Sequence, residues 1–579
     1  MRIDYGASDL TSPSERGSNS GMSYEGPQVP SIGERPAVAY FCMEYGLDER
    51  LPIYSGGLGV LAGDFMRSAH ALSLPVVGVG ILWEEGYTTQ GIGPAGETID
   101  LPTPRTIDRA HLVKEEPIVT VIIGGREVPL WIWRVEGLGA APLYLLEPIV
   151  EHDRWINRRL YGGGKDDRVA QEIVLGVGGV RALQALGIEV DVYHFNEGHA
   201  VFAGLELIAQ ARARGLDVAA AWAATREKIV FTTHTPIDAG NEEHDHERLR
   251  RLGATGGLTH AQMVRLGGDP FNMTVAALRL SRNANAVAEL HGETARKMWR
   301  HVDDAAPIVA VTNGVDHRVW QDARVAAAIA AGGDQALDEA RAMVKRELVA
   351  EVAKRTGVTL DHEMMIVGFA RRATGYKRAT LLFHDEARIA PLLESGRLQL
   401  VYSGKAHPRD LGGQELVREM VTLSKKYPRS VVFVPNYDLQ LGRVLTRGVD
   451  VWLNTPRRPL EACGTSGMKA AMNGVLNCSI LDGWWPEACD HGVNGWAIGE
   501  RLLDGDSDDV RDAAALYALV EDEIVPTYYG NWERWRRMMR ESIAIGVQQF
   551  SSDRMVTDYY TRLYRRAAVA ARRRAAANQ

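Results

Sequence analysis

The sequence is short of cysteine, of long apolar runs and of excess positive charge, and each lack excludes a class of protein. Only four cysteines occur in 579 residues, Cys42, Cys463, Cys478 and Cys489, with no Cys-x-x-Cys pair and no histidine spacing that completes a zinc site. A disulfide scaffold and a structural zinc site are set aside, and a reducing compartment is expected. No stretch reaches the roughly 20 apolar residues of a membrane helix. The first 30 residues, rich in Ser, Gly and Pro, lack the apolar core of a signal peptide, so a cytoplasmic protein with no membrane partner is expected. The formal net charge of -8, with 45% hydrophobic and 24% charged residues, suits a globular chain and gives nucleic acid no basic surface to bind. No internal repeat is visible.

What is present is length and alternation. A chain this long divides into two or more domains, each with its own core. Residues 1–34 read as a flexible arm, because Ser, Gly and Pro there offer little apolar surface to offset ordering. From Ala37 short Val-, Ile- and Tyr-rich runs alternate with helical patterns: Ala37 to Met43, a helix from about Leu61 to Leu72, then Val76 to Ile81. Around Gly124-Gly125 two strand-like runs form a hairpin, expected to leave the main sheet. A long helix near Arg168 to Leu186 leads into Val190 to Phe195, with further strands at Lys228 to Thr233 and Ile308 to Thr312. After an Ala-rich helical stretch from Trp320 to Thr359, strands near Met364, Leu398, Ser430, Val449 and Val475 predict a second parallel sheet. The division follows: an N-terminal α/β domain over 35–319, a C-terminal one over 320–545, and a C-terminal helix with a basic, solvated tail over 546–579. The fold class is α/β, two doubly wound Rossmann-like domains facing across a crevice, with helices after Leu516 covering the second and crossing back toward the first.

Three motifs fall where such sheets bind ligands. Ser55-Gly56-Gly57-Leu58-Gly59 opens a helix, and its amides suit either an anion or a plain tight turn. Arg371-Arg372-Ala373-Thr374-Gly375-Tyr376-Lys377-Arg378 sets four cations after a strand, either around a phosphate or as a solvated turn. Glu461-Ala462-Cys463-Gly464-Thr465-Ser466-Gly467-Met468-Lys469 supplies amides and hydroxyls for a phosphoryl group, with Lys469 expected in the first turn of the next helix. The Walker spacing is absent, so the lysine has several phosphate chemistries open to it, including a Schiff base with pyridoxal phosphate.

The run Glu461 to Lys469, continued by Asn473-Gly474 and Leu481-Asp482-Gly483, resembles the pyridoxal-phosphate segment of α-glucan (glycogen, starch and maltodextrin) phosphorylases. Ser55 to Gly59, Asn196-Glu197-Gly198-His199, His234-Thr235, Thr312-Asn313-Gly314, Arg371 to Arg378 and Asn436-Tyr437 resemble that family's motifs in the family's order. Trp484-Trp485 and the compact length are similar to its short bacterial branch. The resemblance implies a glycogen phosphorylase-like, GT-B type fold and reversible phosphorolysis of α-1,4-glucan to α-D-glucose 1-phosphate, with retention and with pyridoxal 5'-phosphate as proton relay. It implies that Lys469 carries the cofactor, that Thr465, Ser466, Gly57 and Arg371 hold its phosphate, and that Tyr437 and Trp320 flank it. Arg372 and Lys377, with Gly57, would bind the substrate phosphate, and His234, Asn313 and Glu461 the glucosyl hydroxyls. Gly56, Leu58, His199, Cys463 and Gly464 complete the implied substrate wall. The partners are α-glucan, inorganic phosphate and glucose 1-phosphate, with a homo-oligomer left open.

The sequence departs from the family at three places. Cys463 stands for a usual serine, Thr374-Gly375 for the His-Glu of the long enzymes, and Asp438 for an arginine, with Arg443 or Lys405 as compensating cations. Other features have a plain reading beside a functional one. His199 is a satisfied core histidine or a crevice residue, Trp484-Trp485 stack on sugar or pack inside, and Cys463 is reactive or an apolar filler. The run Glu242 to His246 is expected to be a solvated loop, and no metal is expected. Two rivals share the fold: a nucleotide-sugar-dependent glycogen or starch synthase, and a noncatalytic glucan-binding protein.

Overall fold

The computed structural model describes residues 35–101, 107–237, 240–500 and 508–565, so the N-terminal arm and the tail beyond residue 565 lie outside the described residues. Most of the short apolar runs form strands buried on both faces, as a parallel sheet between helices requires. The first sheet has nine: β1 (Val38–Phe41), β2 (Val76–Ile81), β3 (Leu112–Ile123), β4 (Arg126–Val135), β5 (Leu143–Pro148), β6 (Val192–Asn196), β7 (Ile229–Thr232), β8 (Asn283–Ala286) and β9 (Ile308–Ala310). Their spatial order is β9-β8-β7-β6-β1-β2-β5-β4-β3. Neighbours run parallel except at β5-β4 and β4-β3.

The expected excursion at Gly124-Gly125 is therefore corrected. The hairpin β3-β4 extends the main sheet through β5, because the inward residues of β4, Val128, Leu130 and Ile132, are fully buried in the same core. Strands β5 and β8 are not among the expected ones; β5 is an apolar run with an aromatic, whereas Asn283-Ala284-Asn285-Ala286 carries no β-branched or aromatic residue and is paired on both sides, by β7 and β9.

The second sheet is wholly parallel: β10 (Met365–Ala370), β11 (Leu398–Ser403), β12 (Val431–Val434), β13 (Val451–Asn454), β14 (Leu476–Ile480) and β15 (Gly495–Ile498), in the order β12-β11-β10-β13-β14-β15. In each sheet the winding direction reverses once, between β1 and β6 and between β10 and β13. At such a switch point the two following connections part to opposite faces and leave a crevice at the strands' carboxyl ends.

Each sheet has its own core, and a third apolar cluster joins them: Val60, Val287, Val315, Trp320, Leu439, Cys463, Met468, Met472, Trp484, Trp485 and Phe550. Trp484 and Trp485 are 2% and 1% exposed, so the packing reading holds and neither is available to a sugar. Near its end the chain returns to the first core: Met555, Val556, Tyr559, Tyr560, Leu563 and Tyr564 pack there, with Tyr564 Oη 2.5 Å from His194 Nδ1. Among the described residues no helix is long and apolar enough to cross a membrane.

A buried charge ties the second sheet to its helices. Lys345 Nζ donates to Asp450 Oδ2 (2.6 Å), the Met364 carbonyl (2.7 Å) and Tyr528 Oη (2.8 Å), with both charged side chains 7% exposed. Lys345→Met strands the Asp450 carboxylate without its cation and should cost about 3–5 kcal/mol. Chemical denaturation checks this; a midpoint equal to that of the unaltered chain would show that the pair contributes nothing.

Candidate active site

Both switch points open into one cavity of about 840 Å³, and every residue named above as a site residue lines it, including Gly56, Leu58, His199, Asn313, Cys463 and Gly464. On the first sheet's side lies helix α1 (Gly57–Ala71), which begins at Gly57 and not near Leu61, so Gly57 and Leu58 form its first turn. That turn's amides have no intrahelical acceptor. No side chain caps them, and a Cβ on Gly56 or Gly57 would meet nothing within 4 Å. The preceding amides are already satisfied: Glu44 Oε2 accepts from the N–H groups of Ser55 (2.6 Å) and Gly56 (3.2 Å), and Tyr161 Oη donates to Glu44 Oε1 (2.8 Å). Glu44 thus fixes the loop and leaves the helix amides to a ligand. It was not among the expected residues, although its place just past a central strand is a signal that could have found it.

The cation run after β10 is divided by its surroundings. Arg378 turns away, donating to the carbonyls of Thr455 and Pro456 and pairing with Asp509 and Asp512, so the expected group of four cations at the crevice is three. Arg371 Nη2 and Lys377 Nζ both donate to Glu461 Oε2, each at 2.5 Å. Burial acts to raise the Glu461 pKa, but the two cations outweigh it and hold it down at about 2. Burial, with Arg371 beside it, lowers Lys377 to about 8 against the pull of Glu461. At neutral pH the carboxyl is therefore ionised and the lysine protonated. Arg371 Nη1 is buried without a partner, and Arg372 is exposed with no ion pair among the described residues. The cavity holds more positive than negative charge at this point.

Helix α3 (Thr465–Ala471) follows β13, and Gly464, with φ +85°, makes the left-handed turn into it. Lys469 is the fifth residue of α3, one turn later than expected, and this carries it inward until it is 7% exposed. Its Nζ stands 3.7 Å from the centroid of the Trp320 ring, whose Nε1 donates to both oxygens of Asp64 (3.0 and 2.9 Å). Burial lowers Lys469 to about 8, opposed by Asp64, while burial raises Asp64 to about 7, opposed by Lys469. Lys469 makes no ion pair within 4.0 Å among the described residues, and Thr465, Ser466 and Tyr437 line the same cavity. Asp64, buried within α1, was missed by sequence reading because nothing local marks it.

On the sugar side, burial lowers His234 to about 3, so it is neutral, with Nε2 donating to Asn196 Oδ1 (2.6 Å). Glu197, at φ +73°, accepts from the backbone N–H groups of His234 and Gly198 and from Thr235 Oγ1, joining two loops with a strained residue. His199 is not a satisfied core histidine: its Nδ1 is buried without a partner and the residue lines the cavity. Asn313 Oδ1 is likewise unpartnered. Cys463 is packed in the apolar cluster, and burial raises its thiol well above the usual value, as a filler requires.

Two further expectations are corrected. Glu242 to His246 is not a solvated loop: His244 is 1% exposed and Nε2 lies 3.0 Å from Glu172 Oε2, while Glu242 pairs with Arg168 at 3.0 Å. Burial raises Glu172 to about 8, and burial together with the neighbouring Glu172 raises Glu242 to about 8, with Arg168 opposing both shifts. Glu172, Glu242 and His244 present ligand atoms within 4.8 Å of one another, but Arg168 already supplies the cation. Asp438, for its part, caps helix α2 (Leu439–Gly448) through the Leu441 N–H (2.8 Å) and pairs with Arg355. Of its suggested compensators, Arg443 is bound to Glu49 and does not line the cavity, whereas Lys405 does.

Comparison with known proteins gives a consistent set. Residues 326–490 match the family model described as carbohydrate phosphorylase. A maltodextrin phosphorylase of Thermococcus litoralis is 38% identical across 92% of this chain and 71% of its own length. A glycogen phosphorylase of Aquifex aeolicus is 35% identical across 91% of this chain and 86% of its own. An uncharacterized protein of Methanocaldococcus jannaschii is 36% identical across 91% and 99%.

The Lys469–Asp64 pair has a measurable consequence. With Lys469 free, its capture by an aldehyde and borohydride should rise with pH and level off above about pH 8, because only the neutral amine attacks. Asp64→Asn removes the charge that favours the ammonium and should move that midpoint to lower pH, by about one unit. A midpoint that stays or rises would show that the carboxylate does not act on the lysine.

Proposed function

The chain belongs to the carbohydrate phosphorylase family and is an α-glucan phosphorylase, and we propose that its cavity divides the work between an inner recess for pyridoxal phosphate and an outer site for substrate phosphate and glucose. The observation that carries this reading is the excess of cations around Glu461, in the same cavity as a buried lysine with a lowered pKa. A buried positive site is costly without an anion.

The inner recess fits the cofactor. Lys469 is a buried amine poised to hold an aldehyde, Trp320 and Tyr437 supply flat walls, and Thr465, Ser466 and Arg371 offer donors to a phosphate. When bound, the cofactor supplies a phosphate group that exchanges a proton with the substrate phosphate.

The protein's own part is electrostatic. Arg372 and Lys377, with the amides of Gly57 and Leu58, hold the substrate phosphate and offset the repulsion of a second phosphate nearby. Glu461, ionised down to about pH 2, has no proton to give the leaving glycosidic oxygen. In the phosphorylase reading that proton comes from the substrate phosphate, which then attacks the same face of the sugar and retains the α configuration. Both cations use Glu461 Oε2, so Oε1 is left to accept a glucosyl hydroxyl. His234, neutral and oriented by Asn196, and Asn313, with its unpartnered Oδ1, serve other hydroxyls, and His199 faces the remainder of the glucan.

Family membership sets aside the nucleotide-sugar synthase, for which a buried Lys469 has no use. Retention of Lys469, Arg372 and Lys377 in one cavity argues against a noncatalytic binder.

Phosphate with maltodextrin should yield glucose 1-phosphate, and borohydride reduction of the holoenzyme followed by peptide mapping should place a pyridoxyl group on Lys469. Lys469→Ala should abolish product with an unchanged circular dichroism spectrum. Arg372→Ala should raise the KM for phosphate about tenfold or more and that for maltodextrin far less, as loss of a charge-assisted contact implies. Equal rises for the two substrates would assign Arg372 to the fold or the cofactor instead.

A further inference from the structure

Asn313 is held from outside the cavity by a segment that the chain supplies last. Its N–H donates to the Val287 carbonyl (3.0 Å), and its own carbonyl accepts from Arg554 Nη2 (2.8 Å). Arg554 lies on a helix, Ser552–Asp558, that follows the chain's return from the second core. Its Nη1 also donates to the Thr312 carbonyl (2.7 Å) and to Asp558 Oδ2 (3.0 Å), and its Nε to the Gln549 carbonyl (2.7 Å). One guanidinium therefore holds two consecutive carbonyls of the Thr312-Asn313-Gly314 loop. Beside it the two segments are joined by hydrogen bonds from the Val315 N–H to the Phe550 carbonyl and from the Ser552 N–H to the Val315 carbonyl, each 2.9 Å. The seam is close enough that a Cβ on Gly314 would stand 2.2 Å from the Ser551 carbonyl oxygen.

From this geometry we propose that Arg554 is a positioning residue for the glucosyl end of the cavity. By drawing both loop carbonyls outward it turns the Asn313 side chain inward, where Oδ1 waits for a sugar hydroxyl. The inference rests on the reading of Asn313 as a hydroxyl ligand. A planar fork of donors serves two carbonyls at once, whereas a lysine can serve them only as a single point. The loop keeps another anchor when Arg554 is removed, because Thr312 Oγ1 donates to Glu487 Oε2 (2.6 Å). It stays attached but is freed to rotate Asn313.

Steady-state kinetics of the holoenzyme in both directions, with thermal midpoints, test this. Arg554→Ala should raise the KM for maltodextrin and for glucose 1-phosphate about tenfold, from the lost charge-assisted bonds, and leave the KM for phosphate within about twofold. Arg554→Lys should fall between, and Asn313→Ala should reproduce the pattern with no further loss in the double variant. If Arg554→Ala folds poorly, Asp558→Asn, which removes only the carboxylate orienting the guanidinium, should give a smaller rise in the same two constants. The proposal is overturned if Asn313→Ala raises the glucan KM but the Arg554 and Asp558 variants do not, or if all constants and the melting midpoint shift together. A glucan KM unaffected by Asn313→Ala would overturn the assigned role of Asn313 and the positioning role with it.

Discussion

Arg371 and Lys377 meet on one oxygen of a buried glutamate, Glu461, and the rest of the cavity is arranged around that contact. A lone buried carboxylate would take up a proton; with two cations against it the carboxylate is ionised throughout the working range. With Arg372 beside them in no ion pair among the described residues, the balance at this point is positive, and the uncapped first turn of α1 adds partial positive charge from the opposite wall. A neutral glucan does not require such a site, but a phosphate does. Held ionised by its two cations, Glu461 has no proton to donate, so the same contact that favours an anion also removes this carboxyl from acid catalysis.

The fold serves this contact by bringing two switch points together. Glu44, Glu197 and His199 follow the central strands of the first sheet, and Arg371 to Lys377 follow the central strand of the second. The apolar cluster containing Trp320, Trp484, Trp485 and Phe550 then fixes one sheet against the other. Trp320 belongs to that cluster and to the site: its ring lies against Lys469 and its indole N–H against Asp64. The returning C-terminal segment contributes in the same way, packing on the first core while Arg554 bonds the loop that carries Asn313. Packing and chemistry share these residues, so a change that loosens the joint also displaces a ligand.

The sequence determined a good deal by itself. Apolar alternation predicted two parallel sheets, and the glycine, cation and lysine motifs lay at strand ends because residue order and strand ends are both local properties. The residues given site roles from those motifs line one cavity. Tertiary structure decided what depends on distant neighbours. It sent Arg378 to Asp509 and Asp512 and left Arg372 at the cavity, although the two are only six positions apart. It buried Glu242 and His244 against Glu172 and Arg168, and it made Asp438 a helix cap. It also chose Glu44 and Asp64, which no motif marks, as the carboxylates that fix the loop and oppose the lowering of the Lys469 pKa. The physical reason is the range of the forces: backbone periodicity is read within a few residues, whereas desolvation and charge pairing depend on what the fold brings within a few ångströms.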